Sequence, residues 1–436
     1  MREAKKVVLA TFGTLGDIYP FIAIALALQA RGFAPVVAAP EMHRRAIEGE
    51  GVAFALLRPH EKDIVDALGV DIPGAFRIML KNPHFILDEI YMRFLSETYE
   101  DVMHACSGAR IVITHSLLVG AHQAAEMLAV PYARVALAPI HLQSAADPPL
   151  TPSAPYILYP KSCAAVQYNR IVRTAVRLSV DARMSRLRAF RRKIGLPSTR
   201  EDFFLDFGRE NKAQSIFGLF SPHFAPAQPD HPKNMHTVGF PFYKPADAER
   251  RELAPRLQSF LSAGEPPIIF TLGSFAPEVS GDFYDQSMRA ARALGRRAVL
   301  LAGAKDAARL ASLVGPYEYV CEQAPHSLLF PESLCIVHHG GIGTTAEALR
   351  AGKAQIVVPF FGDQPDHGAR VERLGLGLAI KLSAYNERRA VAALQELIAG
   401  DYPAKAKGFA KLVAMEKGVE SIVEWAEDMS AKFRHA

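Results

Sequence analysis

Two groups of residues in this chain have the types and spacing for chemistry on a phosphorylated substrate. The first is Ile336-Val-His-His-Gly-Gly-Ile-Gly-Thr-Thr-Ala-Glu347, with Asp363-Gln364 following. The apolar run Leu334 to Val337 reads as a strand, and Gly340, Gly341 and Gly343 permit a turn too tight, or too close to a ligand, for side chains. A helix opening at Thr344 presents first-turn N–H groups that lack intrahelical partners and carry the positive end of the dipole, which makes the turn an anion site. His338 and His339 stand at its edge, and a diphosphate held there gains charge-assisted hydrogen bonds without a metal ion. The same residues also fit a plain strand-to-helix connection with two incidental histidines. Likewise, Thr344-x-x-Glu347 fits a capping box that would occupy the carboxylate.

The second group is Gly13-Thr-Leu-Gly-Asp-Ile-Tyr-Pro20, which follows the first strand. Asp17 sits in a glycine-flanked turn at the carboxyl edge of that strand, where a cleft between sheets opens, and is a candidate general base. It also fits an N-cap of the helix that follows. A carboxylate with a pKa of about 3.9 is a weak base at neutral pH, so burial would have to raise it. His115 and His141, near strand ends, are candidates for an auxiliary base or acceptor contact, and equally for structural histidines.

The ordered series Gln323-Ala-Pro-His326, His339-Gly-Gly-Ile-Gly-Thr344, Glu347, Gly352, Pro359 and Asp363-Gln364 resembles the nucleotide-sugar signature of the UDP-glycosyltransferase superfamily. The likeness is strongest to bacterial members that glycosylate lipids, sterols or natural products, including rhamnolipid rhamnosyltransferases. The resemblance implies a GT-B fold and an inverting, metal-independent transfer of a hexose or deoxyhexose. The donor would be a UDP- or dTDP-sugar and the acceptor a hydroxyl of a hydrophobic small molecule or lipid, with no cofactor beyond the sugar nucleotide. By the same resemblance His339, Gly341, Gly343 and Thr344 hold the diphosphate, Glu347 the ribose, and Asp363 with Gln364 the sugar hydroxyls. Ser274 is the donor contact after Gly273. Gln323 stands where plant enzymes stack a tryptophan on the base. Gly16-Asp-Ile-Tyr-Pro20 occupies the place of the superfamily's Gly-His-x-x-Pro, with Asp17 for the catalytic histidine. The fold also carries nucleotide-sugar epimerases and non-catalytic partner proteins, and these are the alternatives.

Such residues need a scaffold. At 436 residues, half of them hydrophobic, the chain suits two domains of α/β size. Short β runs at Val7 to Phe12, Pro35 to Ala39, Ala53 to Leu57, Arg110 to Thr114 and Tyr132 to Leu137 alternate with helical patterns such as Phe21 to Ala30, the signature of a doubly wound parallel sheet. Phe85, Ile86, Leu87, Ile90, Tyr91 and Met92 fit either an apolar pocket or ordinary core. Ser215 to Phe220 reads as the last strand of the first domain, and Pro222 to Pro245, with six prolines, as the linker. A second cycle runs from Ile268 through Arg297 to Ala302 and Tyr317 to Cys321 into the glycine turn. Helical patterns at Glu387 to Ala399 and Lys405 to Phe433 end the chain. The expected division is 1–225 for the acceptor, 240–410 for the donor, and 411–436 as a helix that, by the resemblance, returns to the first domain.

The excess of 50 basic over 45 acidic residues is +5, too small to argue for nucleic acid. Four cysteines without CxxC spacing read as reduced, mostly buried thiols of a cytoplasmic protein and suggest no metal site. No run approaches the roughly 20 apolar residues of a membrane span. Arg170 to Lys193, with nine basic residues and one acidic, carries Val172, Val176, Val180, Met184 and Leu187 at helical spacing. This segment fits a helix lying on the inner membrane face, or a surface helix packed on the first domain.

Overall fold

The computed structural model describes residues 5–71, 74–75, 78, 82, 84–150, 159–197, 213–242, 252–273 and 280–432. Two wholly parallel sheets organise them. In the first, strands β1 (Lys5–Ala10), β2 (Phe33–Ala39), β3 (Ala53–Leu56), β4 (Ile111–His115), β5 (Tyr132–Ala136), β6 (Ser215–Gly218) and β7 (Met235–Thr237) lie in the order β3-β2-β1-β4-β5-β6-β7. The second comprises β8 (Ile268–Thr271), β9 (Ala298–Leu301), β10 (Glu318–Cys321), β11 (Cys335–His338), β12 (Gln355–Val357) and β13 (Gly377–Ala379), in the order β10-β9-β8-β11-β12-β13. Each order reverses once, beside β1 and beside β8, and such a reversal opens a crevice at the carboxyl ends of the strands.

The strands are apolar on both faces because both faces are covered. Val7 and Leu9 join one core cluster, whereas Val8 and Ala10 join another. The second sheet repeats this with Ile268 and Phe270 on one side and Ile269 on the other.

Seven helices carry or brace the residues at these strand ends. They are α1 (Leu15–Ala30), α2 (Cys163–Arg183), α3 (Ser185–Lys193), α4 (Ile342–Arg350), α5 (Gln364–Arg373), α6 (Tyr402–Val413) and α7 (Glu420–Lys432). α1 begins six residues before the expected Phe21, because Thr14 caps it. It is apolar nearly all round, and α7 explains why: Ile422, Val423 and Ala426 are buried with Ile18, Phe21 and Ile22 of α1. The pattern from Lys405 onward is two helices rather than one. Gly418, at φ +55°, lies in the break between them.

The proline-rich stretch expected as a linker contributes β7, paired with β6, so the first sheet extends past residue 225. Prolines flank that three-residue edge strand without interrupting it, as an edge tolerates. The two halves are joined by an apolar cluster in which Ala136, Leu142, Phe220, Phe224 and Phe240 meet Leu349, Val357, Val371, Ala406 and Phe409. All four cysteines are free: Cys106 and Cys335 are buried, whereas Cys163 is exposed. No helix among the described residues is long and apolar enough to cross a membrane.

A buried ionic network also ties the halves. Arg370 on α5 donates Nε to Asp366 at 2.7 Å and Nη1 to Asp147, on the loop after β5, at 2.5 Å. Arg373 reaches the same Asp147 at 3.2 Å, and Leu150 N–H donates to Asp366 at 3.0 Å. Arg370 is 2% exposed and Asp366 0%. Removing one partner of a buried pair leaves an uncompensated charge, which costs on the order of 3–5 kcal/mol. Arg370→Met is therefore expected to lower the denaturant-unfolding free energy by about that amount, and a loss below about 1 kcal/mol would show the network to be solvated.

Candidate active site

The carboxyl ends of both sheets carry the chemically capable residues. On the first sheet, the turn after β1 leads into α1 through a capping box: Thr14 is the N-cap, and Asp17, at the third helical position, accepts from Thr14 N–H at 2.8 Å and Thr14 Oγ at 3.1 Å. Asp17 is thus not the N-cap itself, although its carboxylate serves the cap. Burial raises its pKa to about 6; the Thr14 hydrogen bonds oppose this, and the charge of Asp363 adds to it.

His115 ends β4 and His141 follows β5, with ring centroids 5.5 Å apart. His115 Nδ1 accepts from Leu117 N–H at 3.2 Å, and His141 Nδ1 lies 3.3 Å from Ser116 Oγ. Burial pushes His141 down to about 4 and His115 well below the ordinary range, so both rings are neutral.

On the second sheet, β11 ends at His338, and α4 begins at Ile342 with Gly341 as N-cap, two residues before the expected Thr344. Thr344 is the third helical residue and is buried. With glycine at the cap, no side chain occupies the first-turn N–H groups. The Thr344–Glu347 capping box does not form. Instead, Glu347 Oε2 accepts from Arg350 Nη2 at 2.5 Å, and the Arg350 guanidinium lies over the Phe242 ring at 4.3 Å.

His338 is structural. Its Nε2 is 2.8 Å from Gln355 Oε1, and its Nδ1 accepts from Gly340 N–H at 3.0 Å. His339 stands between two glycines: a Cβ on Gly273 would come within 2.7 Å of its ring, and one on Gly341 would strike Nε2. Its Nδ1 is buried without a partner, and burial pushes the ring down to about 3, so it meets any ligand as a neutral imidazole.

Asp363 is the N-cap residue of α5, and burial raises its pKa. Gln364 Oε1 accepts from Phe360 N–H at 2.8 Å and Phe361 N–H at 3.2 Å, which fixes the loop and assigns half of its amide a structural task. Gly343 is exposed with open space beyond its Cα, and Gln323 is exposed two residues past β10. Ser274 lies outside the described residues. Among those that are described, no group of three or more His, Cys, Asp and Glu side chains is placed to hold a metal ion.

Asp17 on the first sheet and Asp363 on the second are within electrostatic reach of one another, the charge of Asp363 adding a minor share to the rise at Asp17. Sequence reasoning missed Thr14, Arg350 and His367. Thr14-x-x-Asp17 has capping-box spacing, Arg350 is i+3 from Glu347, and His367 is i+4 from Asp363, so each signal was local.

The apolar 82–92 segment is mostly core: Leu87 and Met92 pack with Val180, Met184 and Leu187, while Phe85 and Ile90 form a separate cluster. The Tyr91 ring stands edge-on to Phe12, and burial, with a smaller share from the charge of Asp17, raises the phenol's pKa. The basic segment breaks at Met184 into α2 and α3. Arg191 is buried against Glu126 at 2.7 Å, and Val180, Met184 and Leu187 of the stripe are core, whereas Val172 and Val176 are half-buried.

Residues 7–146 match the glycosyltransferase family 28 N-terminal domain, and residues 285–421 match the erythromycin biosynthesis protein CIII-like C-terminal domain. Glycosyltransferase GtfE of Amycolatopsis orientalis is 30% identical over 86% of this chain and 85% of its own. The O-mycaminosyltylonolide 6-deoxyallosyltransferase of Streptomyces fradiae is 28% identical over 97% and 98%. The fold is that of the glycosyltransferase VinC, solved in complex with dTDP, at a TM-score of 0.66 and 18% identity over 98% of this chain and 100% of that one. The chain belongs to the UDP-glycosyltransferase superfamily of GT-B enzymes and transfers sugars.

Thr14 both caps α1 and stabilises the ionised form of Asp17. Thr14→Val is expected to raise the Asp17 pKa above about 6 and to cost about 1 kcal/mol of stability. Both effects are measurable, by carboxyl 13C titration and by thermal unfolding. An unmoved titration would mean that the Thr14 hydroxyl does not bear on the carboxylate.

Proposed function

We propose that this enzyme moves a hexose or deoxyhexose from a UDP- or dTDP-sugar onto a hydroxyl of a hydrophobic acceptor, with inversion at the anomeric carbon. The observation that supports this reading is a pair of strand-end turns: Asp17, held by the Thr14 capping box after β1, and the N-terminus of α4, free of any side-chain cap, beside His339 after β11. The diphosphate takes the uncapped N-terminus of α4 beside neutral His339, where N–H donors and the dipole stabilise the departing charge without a divalent ion. Gly341 and Gly343 let its oxygens approach the backbone, Thr344 lines the same turn, and Glu347 accepts from the ribose. Gln323, two residues past β10, reaches the donor, and Ser274 is a further donor contact by the family likeness alone. Asp363 and the free amide nitrogen of Gln364 address the sugar hydroxyls.

In the step itself, Asp17 takes the acceptor's hydroxyl proton as the oxygen bonds to the anomeric carbon. The bond from that carbon to the diphosphate breaks, and its electron pair leaves with the phosphate. A pKa near 6 leaves Asp17 ionised at neutral pH yet more basic than a solvated carboxylate. The dTDP found in a protein of the same fold, and relatives named as an O-mycaminosyltylonolide 6-deoxyallosyltransferase and a vancomycin aglycone glucosyltransferase, support the donor and acceptor classes. Asp17→Asn is expected to lower kcat by roughly 10² to 10⁴ while leaving nucleotide affinity intact, and EDTA should leave the wild-type rate unchanged. Wild-type turnover in the Asn variant would remove Asp17 from the mechanism.

We further propose that the acceptor is met at an anionic lipid surface. α2 turns its inner face to the core, but Ile171 and Leu178, at 71% and 59% exposure, continue an outer stripe with Ala164, Ala175 and Ala182. Arg170, Arg177 and Arg186 stand near that stripe, and Asp181, the sole acid between Lys161 and Lys193, pairs with Arg188. A second copy docked there would set arginine against arginine, whereas anionic headgroups complement them. The double variant Ile171→Glu, Leu178→Glu is expected to abolish co-sedimentation with phosphatidylglycerol vesicles at low salt. If the wild type fails to bind under those conditions, α2 is simply a solvated face.

A further inference from the structure

A single peptide group stands between the buried imidazole of His43 and the carboxylate of Asp17. β1 and β2 are paired neighbours, and the ladder continues past them with Thr11 N–H donating to Ala38 O at 3.0 Å. The chain leaving β2 then makes one 3-10 turn, Glu41–His43, closed by His43 N–H donating to Pro40 O at 3.0 Å. This turn delivers the His43 ring, 3% exposed, to the turn after β1, where its Nε2 lies 2.9 Å from Gly13 O. A carbonyl oxygen only accepts, so Nε2 bears the proton. Burial lowers the pKa of the ring, and at pH 7 it is the neutral tautomer that donates.

Gly13 O and Thr14 N–H belong to the same peptide plane. In a trans peptide they point in opposite directions, and Thr14 N–H donates to Asp17 Oδ2 at 2.8 Å. The imidazole N–H, the peptide and the carboxylate therefore form one chain of two hydrogen bonds. Glycine is required at its centre: residue 13 has φ +136°, and a Cβ there would strike Asp17 Oδ2. Thr11 Oγ1 donates to Asp17 O at 3.0 Å, which fixes the backbone of the same residue. A donor on a carbonyl draws electron density from the amide nitrogen and strengthens its N–H as a donor to an anion. No proton crosses the peptide.

The other ionisable groups nearby do not take over this task. The charge of Asp363 adds only a minor share at Asp17, and Tyr91, pushed up by burial, stays protonated. Beside His43, Arg44 is held by Glu41 at 2.7 and 2.9 Å and by Glu48 at 3.2 Å, and the charge of His60 bears on Glu41.

We propose that His43 is a positioning residue that, through the Gly13–Thr14 peptide, holds the Thr14 N–H on the Asp17 carboxylate, fixing its orientation and keeping it ionised. This rests on Asp17 as the base. Without a donor on Gly13 O, the peptide is free to turn and Thr14 N–H binds the carboxylate less firmly. A hydrogen bond to the ionised form lowers a carboxyl pKa, so weakening it raises that of Asp17. Activity that needs the ionised form is then lost at the acid end of the profile.

Carboxyl 13C titration of Asp17 in the full-length protein tests this. His43→Gln, which returns an amide N–H near the place of Nε2, should leave Asp17 titrating at about 6. His43→Phe, which keeps a ring but no donor, should move the titration up by roughly half a pH unit. The acidic limb of kcat/KM should move with it, while KM for the sugar nucleotide, bound on the other sheet, stays unchanged. An Asp17 titration in His43→Phe that matches the wild type, or a shift in His43→Gln as large as in His43→Phe, would overturn the proposal. A loss of thermal stability with an unmoved titration would do the same, because it would reduce His43 to a pin of the loop. Imidazole 15N spectra of the wild type depend on neither variant folding: His43 should carry its proton on Nε2 at pH 7, and a proton on Nδ1 alone would be fatal to the idea. These titrations need no substrate, so they stand apart from the base assignment, which is judged by the turnover of Asp17→Asn.

Discussion

A guanidinium with no access to water must keep its carboxylates, and Arg370 is such a group. It holds Asp366 on its own helix and Asp147 on a loop of the opposite sheet. α5 therefore cannot shift against the first domain without separating buried charges, whose desolvation has already been incurred. The residues at the start of that helix, Asp363 and Gln364, inherit this fixed position. So does the loop bearing His141, which leads to Asp147. The apolar cluster spanning both sheets supplies adhesion, and the ionic network supplies register, because a charge pair tolerates far less displacement than packed hydrocarbon.

The cleft held in this way is unusual in its protonation. His141, His338 and His339 sit in surroundings that disfavour the imidazolium, so they act as donors or acceptors of fixed polarity. The carboxyls are raised for the same reason, desolvation. One physical cause thus moves acids and bases towards neutrality from both sides. Neutral imidazoles leave helix dipoles and backbone N–H groups without competing cations, which suits a reaction that must stabilise a departing diphosphate.

The returning helix α7 has a comparable structural logic at the far side of the first sheet. Without it, the outer face of α1 would expose apolar surface directly behind the turn that carries Asp17. The capping box at Thr14, the apolar body of α1 and the cover provided by α7 are successive supports of one carboxylate.

Much of this was legible in the sequence. Alternating apolar β runs and helical periods gave two parallel sheets, because strands buried on both faces are necessarily hydrophobic at every position. The glycine turn was visible because a tight strand-to-helix turn demands glycine, whereas His339 and the Asp363-Gln364 pair stood out through the resemblance of their ordered spacing to a nucleotide-sugar signature. Local pattern was less able to choose among caps. Thr344 looked like a helix start, but Gly341 is the cap, and Asp17 looked like an N-cap, but it is the third residue of a box closed by Thr14. β7 was hidden by prolines that an edge strand accommodates. The sequence by itself determined which residues sit at the carboxyl ends of strands, since that follows from chain order and periodicity. Only the tertiary structure decided that the charge of Asp363 reaches Asp17, that Arg370 reaches Asp147 some two hundred residues earlier, and that His367 Nε2 is buried without a hydrogen-bond partner. Those relations depend on how two separately folded sheets are oriented, and no local periodicity encodes that angle.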